Sequence, residues 1–239
     1  MLTQRYFKSI LTSREWKIRA PRSEWKGETS LQEAQRNILL GRGLSSLDDL
    51  DYSLGKIPHF RSLKNINKAT QFLREIINDN KRILVVGDYD VDGATSTATA
   101  VTGLRMLGAQ HVDYLIPNRL RTGYGLSPAL IPEILQRSPD CVITVDNGIS
   151  AIPAAQLLEE HGISLLVTDH HLPGDELPVS VAIINPNQKG DDFPCKNLAG
   201  VGVVFYLLCA LRSMLKKGDV DLKLLLPWVA MGTVADCVP

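Results

Sequence analysis

From residue 82 onward, hydrophobic and polar positions alternate in blocks that predict strand, loop and helix in repetition. Short, nearly continuous apolar runs have the length of buried strands and occur at residues 83–86, 112–116, 141–145, 164–168 and 181–184. Helical spacing occupies residues 95–107, 128–136, 151–161, 198–215 and 222–230. Because such strands are buried on both faces, we predict an α/β fold: an open, mostly parallel five-stranded sheet with helices on both faces.

The first 80 residues follow a different pattern, which is mainly helical and shows no convincing strand. Helical spacing runs over residues 31–40, after a capping position at Ser30, and again over residues 68–80. We therefore predict two domains, a helical N-terminal segment of residues 1–80 and an α/β domain of residues 81–239.

Composition narrows the class of protein. At 239 residues, with 44% hydrophobic and 22% charged residues, the chain resembles an ordinary globular protein. No apolar run reaches the length of a membrane span, and the first residues lack the apolar core of a secretory signal. The four cysteines show no metal-binding or disulfide spacing, which is typical of a protein of the reducing cytoplasm. We expect a cytoplasmic protein without a membrane anchor.

Charge is unevenly distributed although its total is zero. Residues 1–82 carry 16 Lys and Arg against 9 Asp and Glu, and the remainder carries 10 against 17. The most basic part interleaves cations with aromatic residues: Arg5, Lys8, Arg14, Lys17, Arg19, Arg22 and Lys26 with Tyr6, Phe7, Trp16 and Trp25. Such a segment can contact phosphates and stack on bases, or its aromatic residues can pin a terminal segment onto the core. Both interpretations stay open.

The candidate chemistry lies where predicted strands end. Asp88, Asp90 and Asp92 follow the first strand, Asp146 follows the third, and Asp169-His170-His171 follows the fourth. A further carboxylate, Asp236, comes after an apolar stretch near the end of the chain. Because ligands of parallel sheets bind beyond the carboxyl ends of strands, we expect these side chains to converge. The alternative is a set of ordinary Asp/Gly turns with solvated carboxylates.

These residue types also indicate which metal would bind. Several carboxylates with one imidazole suit Mn²⁺ or Mg²⁺, whereas Zn²⁺ would favour more histidine or cysteine. So many anionic oxygens exceed the needs of one ion and indicate a two-metal site for phosphoryl chemistry. His170 is a candidate ligand. For His171, a ligand, a supporting partner and a donor to substrate phosphate all remain open.

In these segments the chain resembles the DHH phosphoesterases. The four ordered motifs are Asp88-Tyr89-Asp90-Val91-Asp92-Gly93, Val145-Asp146-Asn147-Gly148, Asp169-His170-His171 and Gly232-Thr233-Val234-Ala235-Asp236. Further segments resemble the branch of bacterial single-stranded-DNA exonucleases: Ile116-Pro117-Asn118-Arg119, Gly123-Tyr124-Gly125-Leu126, Asn185-Pro186-Asn187 and Lys196-Asn197-Leu198-Ala199-Gly200-Val201-Gly202.

The resemblance implies a metal-dependent 5′→3′ exonuclease that releases mononucleotides from single-stranded DNA in repair and recombination. It implies two Mn²⁺ or Mg²⁺ ions held by Asp88, Asp90, Asp92, Asp146, His170 and Asp236. Catalysis would rest on Asp90, Asp92, Asp146, His170 and His171. Substrate would be contacted by Arg119, Arg121, Tyr124 and His171. Asp169 would orient a neighbouring histidine, and helicase or single-strand-binding proteins would be partners.

Two other functions belong to the same family. DHH hydrolases of small substrates (pyrophosphate, oligoribonucleotides or cyclic dinucleotides) usually open their first motif with histidine, and no histidine lies between His59 and His111. Non-catalytic DHH scaffolds have lost metal ligands, and every expected ligand position is filled here. Members of the family also carry C-terminal substrate-binding domains, which nothing in this sequence resembles. We therefore expect residues 81–239 to be the catalytic domain of a longer protein.

Overall fold

The polypeptide divides into two compact units, residues 1–57 and residues 58–239. The structure is a computed structural model that describes residues 6–8, 15–17, 24–51, 53–236 and 238. The division falls between residues 57 and 58, whereas the sequence pattern predicted a boundary between residues 80 and 81. Among the described residues, no helix combines the length and the apolarity needed to cross a bilayer.

The first unit contains a short antiparallel strand pair and a helix. Strands β1 (Tyr6–Lys8) and β2 (Glu15–Lys17) pair with Phe7 opposite Trp16, and helix α1 spans Glu33–Gly41. The two strands correct the prediction that this segment lacks strands. Aromatic residues favour extended backbone, which three-residue runs are too short to reveal by periodicity. Within the basic segment, Arg5, Arg14, Arg19 and Arg22 lie outside the described residues.

The second unit is built on a five-stranded sheet. In chain order it contains α2 (Ile66–Asn78), β3 (Ile83–Val86), α3 (Val91–Met106), β4 (Val112–Leu115), α4 (Ile131–Arg137), β5 (Cys141–Val145), α5 (Ile152–Glu160), β6 (Ser164–Thr168), β7 (Ala182–Ile184), α6 (Gly200–Met214) and α7 (Leu226–Ala235). The strand order is β4-β3-β5-β6-β7, and every neighbouring pair is parallel. The predicted α/β architecture is confirmed.

The side chains of alternate strand residues pack into two separate hydrophobic cores, one on each face of the sheet. Val85 and Ile143 point into a core that α2, α3 and α6 complete. Leu84 and Val142 point into the opposite core, which α4 and α5 complete. Strand β3 has β4 as its neighbour on one side and β5 on the other, so the direction in which strands are added reverses at β3. The loops after β3 and β5 therefore flank the switch point where parallel sheets bind ligands.

Helix α2 belongs to the core of this second unit. Its residues Ala69 and Leu73 are fully buried, and Ile66 and Ile76 are nearly so. These side chains join the cluster that contains Val85 of β3. The sheet therefore depends on a helix that the sequence pattern assigned to the preceding segment.

Replacing Leu73 with alanine tests that dependence. We expect the free energy of unfolding to fall by about 3 kcal/mol, because the change leaves a cavity in a fully packed core. The exposed neighbour Arg74 provides the control, and Arg74→Ala should change stability by less than about 0.5 kcal/mol. Urea unfolding monitored by circular dichroism measures both. Equal stability of the two variants would contradict the placement of α2.

Candidate metal centre

The turn from β3 into α3 brings three carboxylates together. The Asp90 side chain caps α3 by accepting a hydrogen bond from the Gly93 amide at 2.8 Å. Asp88 is buried, and one of its oxygens accepts from the Tyr89 amide. A Cβ atom at Gly93 would lie 2.5 Å from the Asp88 Cβ atom, so glycine permits this close approach. The capped turn thus fixes Asp88 and Asp90 before any ligand binds.

Asp92 joins two helices. One of its oxygens accepts from the Gly200 amide at 2.7 Å and the other from the Val201 amide at 2.9 Å. Both amides belong to the first turn of α6, where a carboxylate also meets the favourable end of the helix dipole. Asp92 is therefore a structural residue of the fold as well as a member of the carboxylate cluster.

Asp146 stands at the end of β5, in the left-handed backbone region with φ of 61°. Its side chain reaches toward α6, where a Cβ atom at Gly200 would lie 2.6 Å from Asp146 Oδ1. Asp146 Oδ1 also lies 3.1 Å from His170 Nε2. Both atoms are buried, and neither has a hydrogen-bond partner of good geometry among the described residues. These two atoms without partners are close enough to each other to bind the same ion.

His170 lies near three carboxylates. Besides Asp146, its Nε2 atom lies 3.8 Å from Asp92 and 3.7 Å from Asp236. The ligating atoms of Asp92, His170 and Asp236 lie within 4.8 Å of one another, and so do those of Asp88, Asp90 and Asp146. A third such group comprises Asp146, His170 and His171. All six predicted ligands therefore converge in two adjoining groups, with Asp146 and His170 at their junction.

Asp236 reaches this centre from a helix. It is the C-cap residue that directly follows α7, and α7 packs along α3. The sequence interpretation grouped Asp236 with residues at the carboxyl edge of the sheet, and the structure corrects that detail. Asp236 still reaches the centre because the C-terminal end of α7 packs against the first turn of α3.

The pKa shifts in the carboxylate cluster show that its negative charge is not neutralised by nearby cations. Burial raises the pKa of Asp88 and of Asp236, and it raises the pKa of Asp146 to about 7, with Asp92 adding to the effect. Burial opposes protonation of His170, but the nearby Asp146 and Asp236 outweigh it, so the pKa of His170 is raised. Each shift means that the carboxylates favour binding a proton or a cation.

A divalent ion fits this donor set. Hard carboxylate oxygens with one imidazole are the ligands of Mn²⁺ and Mg²⁺. Two donor atoms on one such ion lie at most about 4.2 Å apart, and the distances from His170 Nε2 to Asp92 and Asp236, 3.8 and 3.7 Å, fall within that limit. The orphaned Asp146 and His170 atoms provide independent support, because buried polar atoms usually have a partner.

Asp169 is withdrawn from the cluster and holds its neighbours. Its Oδ1 atom accepts from the His171 ring at 2.7 Å and from the amides of His170 and His171, while Oδ2 accepts from the Ile149 amide. Burial opposes ionisation, but these bonds, led by that from His171, lower the pKa of Asp169. The bond that the His171 ring donates to Asp169 is also the main cause that raises the pKa of His171 to about 9.

Replacing Asp169 with asparagine should destabilise the protein. The amide presents only one acceptor oxygen, so at least one buried N–H group loses its partner, and we expect a loss of about 2–3 kcal/mol. Thermal melting and urea unfolding measure the loss. Asp140→Asn is a suitable control, because Asp140 is exposed and accepts from a single amide, that of Arg82. Equal melting of the two variants would contradict this assignment.

The loop after β4 borders the same site. The Tyr124 hydroxyl donates to the Asp146 carbonyl at 3.1 Å and lies 3.4 Å from His171 Nε2. Arg119 is exposed and lies over the ring of Tyr89, 5.4 Å from its centre, whereas Arg121 is exposed farther along the loop. A cleft of about 280 Å³ opens beside Tyr124 and His171. The structure therefore brings Tyr124 and His171 together and leaves Arg119 at the rim.

Two residues at this site were not singled out by the sequence. Tyr89 packs edge-on against Tyr124, although its place between two aspartates gave no sign of that contact. Asn147 is buried and donates to the carbonyls of Val86 and Val145, while its oxygen accepts from the Leu126 amide. It ties the ends of β3 and β5 to the loop that carries Tyr124. Its position directly after Asp146 was the only available signal.

Known proteins resemble this chain over most of its length. The RecJ single-stranded-DNA-specific exonuclease of Dickeya dadantii is 44% identical over 92% of this chain and 40% of its own length. That of Escherichia coli is 46% identical over 85% of this chain and 37% of its own length. The structure of RecJ from Thermus thermophilus in complex with Mn²⁺ superposes with a TM-score of 0.68 and 36% identity, covering 84% of this chain and 28% of that one. The chain thus spans about two fifths of these curated relatives.

The family model covers most of the α/β unit. The model described as the DHH family, N-terminal domain, matches residues 82–233, from the start of β3 into α7. The matched range contains the carboxylate turn after β3, Asp146 and both histidines, and it ends three residues before Asp236. On this match, which spans well over half of the chain, the protein belongs to the DHH family.

Proposed function

We propose that this chain is the catalytic part of a metal-dependent 5′→3′ exonuclease that acts on single-stranded DNA and releases mononucleotides. The observation that carries the proposal is the convergence of six candidate ligands into two adjoining groups. The names of its RecJ relatives supply the substrate class. In this proposal residues 81–239 are the catalytic domain of a cytoplasmic DNA-repair enzyme, and helicase or single-strand-binding proteins are its partners.

The proposed ligands divide between two Mn²⁺ or Mg²⁺ ions. Asp88 and Asp90 would hold one ion, Asp92 and Asp236 the other, and Asp146 and His170 stand at the junction. When bound, two such ions supply an activated water and neutralise charge on a phosphodiester. The chain itself contributes oxygens that hydrogen bonds hold in place, those of Asp88 and Asp90 in the turn before α3 and those of Asp92 at the start of α6.

The remaining proposed residues serve the substrate. Asp169 fixes the His171 ring through Nδ1, so that Nε2 points toward Tyr124 and the cleft. His171 and Tyr124 would contact the scissile phosphate, and Arg119 and Arg121 would contact neighbouring phosphates from the rim. The basic N-terminal segment would also contact DNA phosphates.

The deciding experiment compares two end-labelled DNA strands. The full-length protein and the 239-residue chain are each incubated with Mn²⁺ and with single-stranded DNA labelled at the 5′ or the 3′ end. We expect labelled mononucleotide to appear first from the 5′-labelled strand, and EDTA to stop the reaction. Earlier release from the 3′ label would contradict the polarity. Hydrolysis limited to dinucleotides or pyrophosphate would favour the small-substrate alternative, and no hydrolysis by the full-length protein would favour a scaffold.

A further inference from the structure

Residues 185–187, which follow β7, contact the main chain of His170 and His171. The proposed function assigns these residues no role. The Asn187 side-chain amide donates to the His170 carbonyl at 2.6 Å. The Asn185 amide donates to the His171 carbonyl at 2.9 Å, and Asn185 is completely buried. Two asparagines two residues apart therefore hold the main chain of two consecutive histidines.

These bonds begin where the strand pairing stops. The last main-chain bond between the two segments is that from the Asp169 amide to the Ile184 carbonyl, at 3.0 Å. Beyond it, His170 and His171 follow no regular structure. The asparagine side chains hold this backbone by hydrogen bonds of their own where the strand pairing has ended. The histidine backbone is thus held at the point where it leaves the sheet.

The asparagine segment is itself anchored. Asn185 Oδ1 accepts from the Asn187 amide, which fixes the spacing of the two side chains. The Lys196 ammonium donates to the Pro186 carbonyl at 2.6 Å and to both the carbonyl and the carboxylate of Asp191. The Asp191 carboxylate is fully buried and also accepts from the Lys64 amide, just ahead of α2. A continuous series of hydrogen bonds therefore links Lys64, just ahead of α2, through Lys196 to His170.

We propose that Asn187 is a positioning residue for the metal centre, supported by Asn185 and Lys196. By holding the His170 carbonyl, it keeps His170 Nε2 between Asp146, Asp92 and Asp236. Ligand sets bind tightly only when supporting bonds hold them to about 0.5 Å. The inference rests on the proposed function, since it assigns Asn187 a role toward ions bound by His170.

Mn²⁺ binding tests this role without any nuclease assay. Free Mn²⁺ gives a six-line electron paramagnetic resonance signal that is lost on binding, so titration of the metal-free protein yields a dissociation constant. We expect Asn187→Ala to weaken Mn²⁺ binding about 10- to 100-fold, the range found when partners of metal ligands are removed. Lys196→Met should weaken it in the same direction by a smaller factor, and it provides a second variant if Asn187→Ala folds poorly.

The matched control is Asn65→Ala. The Asn65 amide also donates to a main-chain carbonyl, that of Ile183 in β7, but it contacts neither histidine. Asn65 has φ of 64°, so alanine there is strained and costs at least as much stability. We expect a lower melting temperature with unchanged Mn²⁺ affinity. If Asn187→Ala and Lys196→Met bind Mn²⁺ as the unmodified protein does, the positioning role is overturned. If the unmodified protein binds no Mn²⁺, the proposed metal centre itself fails.

Discussion

Replacing Asp146 with asparagine should lower Mn²⁺-dependent DNA hydrolysis by about 1,000-fold or more in the full-length protein. Asp146 lies at the junction of the two ligand groups, so the neutral amide weakens both ion sites at once. Asparagine tolerates the left-handed backbone of this position, so the fold is retained. The metal-free variant should melt about 2–4 °C higher, because one of several crowded, buried carboxylates has gone.

Single-turnover hydrolysis and calorimetry of the metal-free protein measure these two effects. Asp113→Asn is the matched control, because it makes the same chemical change at an exposed residue that pairs with Arg137. That control should keep full activity. Asp146→Asn with more than a few per cent of the original rate would remove Asp146 from the set of ligands.

Asp92→Ala should have the opposite effect on stability. We expect the metal-free protein to lose about 3–5 kcal/mol, because two buried amides at the start of α6 lose a charged acceptor. Activity should also vanish, since Asp92 belongs to the group with His170 and Asp236. Two neighbouring carboxylates of one cluster would thus shift the melting temperature in opposite directions.

Urea unfolding of the 239-residue chain without metal measures this difference. Asp92→Asn is the graded comparison, because it keeps one acceptor oxygen and should lose about half as much stability. If Asp92→Ala and Asp146→Asn unfold at the same urea concentration, Asp92 has no structural role beyond the cluster.

The sheet was predictable from the sequence because its strands are buried on both faces. Runs such as Ile83–Val86, Cys141–Val145 and Ser164–Thr168 are mostly apolar and contain no charged residue, so their limits are sharp and the structure confirms them. The start of helix α3 was predicted less accurately. It begins at Val91 rather than at residue 95, because the capping Asp90 and the buried Asp92 look like loop residues in the sequence.

The remaining differences concern contacts between distant segments. Helix α2 has an obvious apolar face, but nothing in that face says which core it joins. Asp236 was a predicted ligand, but the sequence did not show that it arrives from the end of a helix. Asp169 was expected to orient a neighbouring histidine, but the sequence gave no sign that it accepts from four donors, one of them the distant Ile149 amide. The bonds of Asn185 and Asn187 depend on how β6 and β7 diverge, which no local pattern encodes.

The double bond of Asp92 to α6 has an evolutionary consequence. In a lineage that loses the proposed nuclease activity, selection on Asp146, Asp88 and His170 would relax, and loss of the two carboxylates would relieve repulsion in the interior. Asp92 would persist, because α6 still needs a carboxylate at its first turn. We therefore expect an inactive descendant to keep Asp92 as the one unchanged aspartate of the first motif.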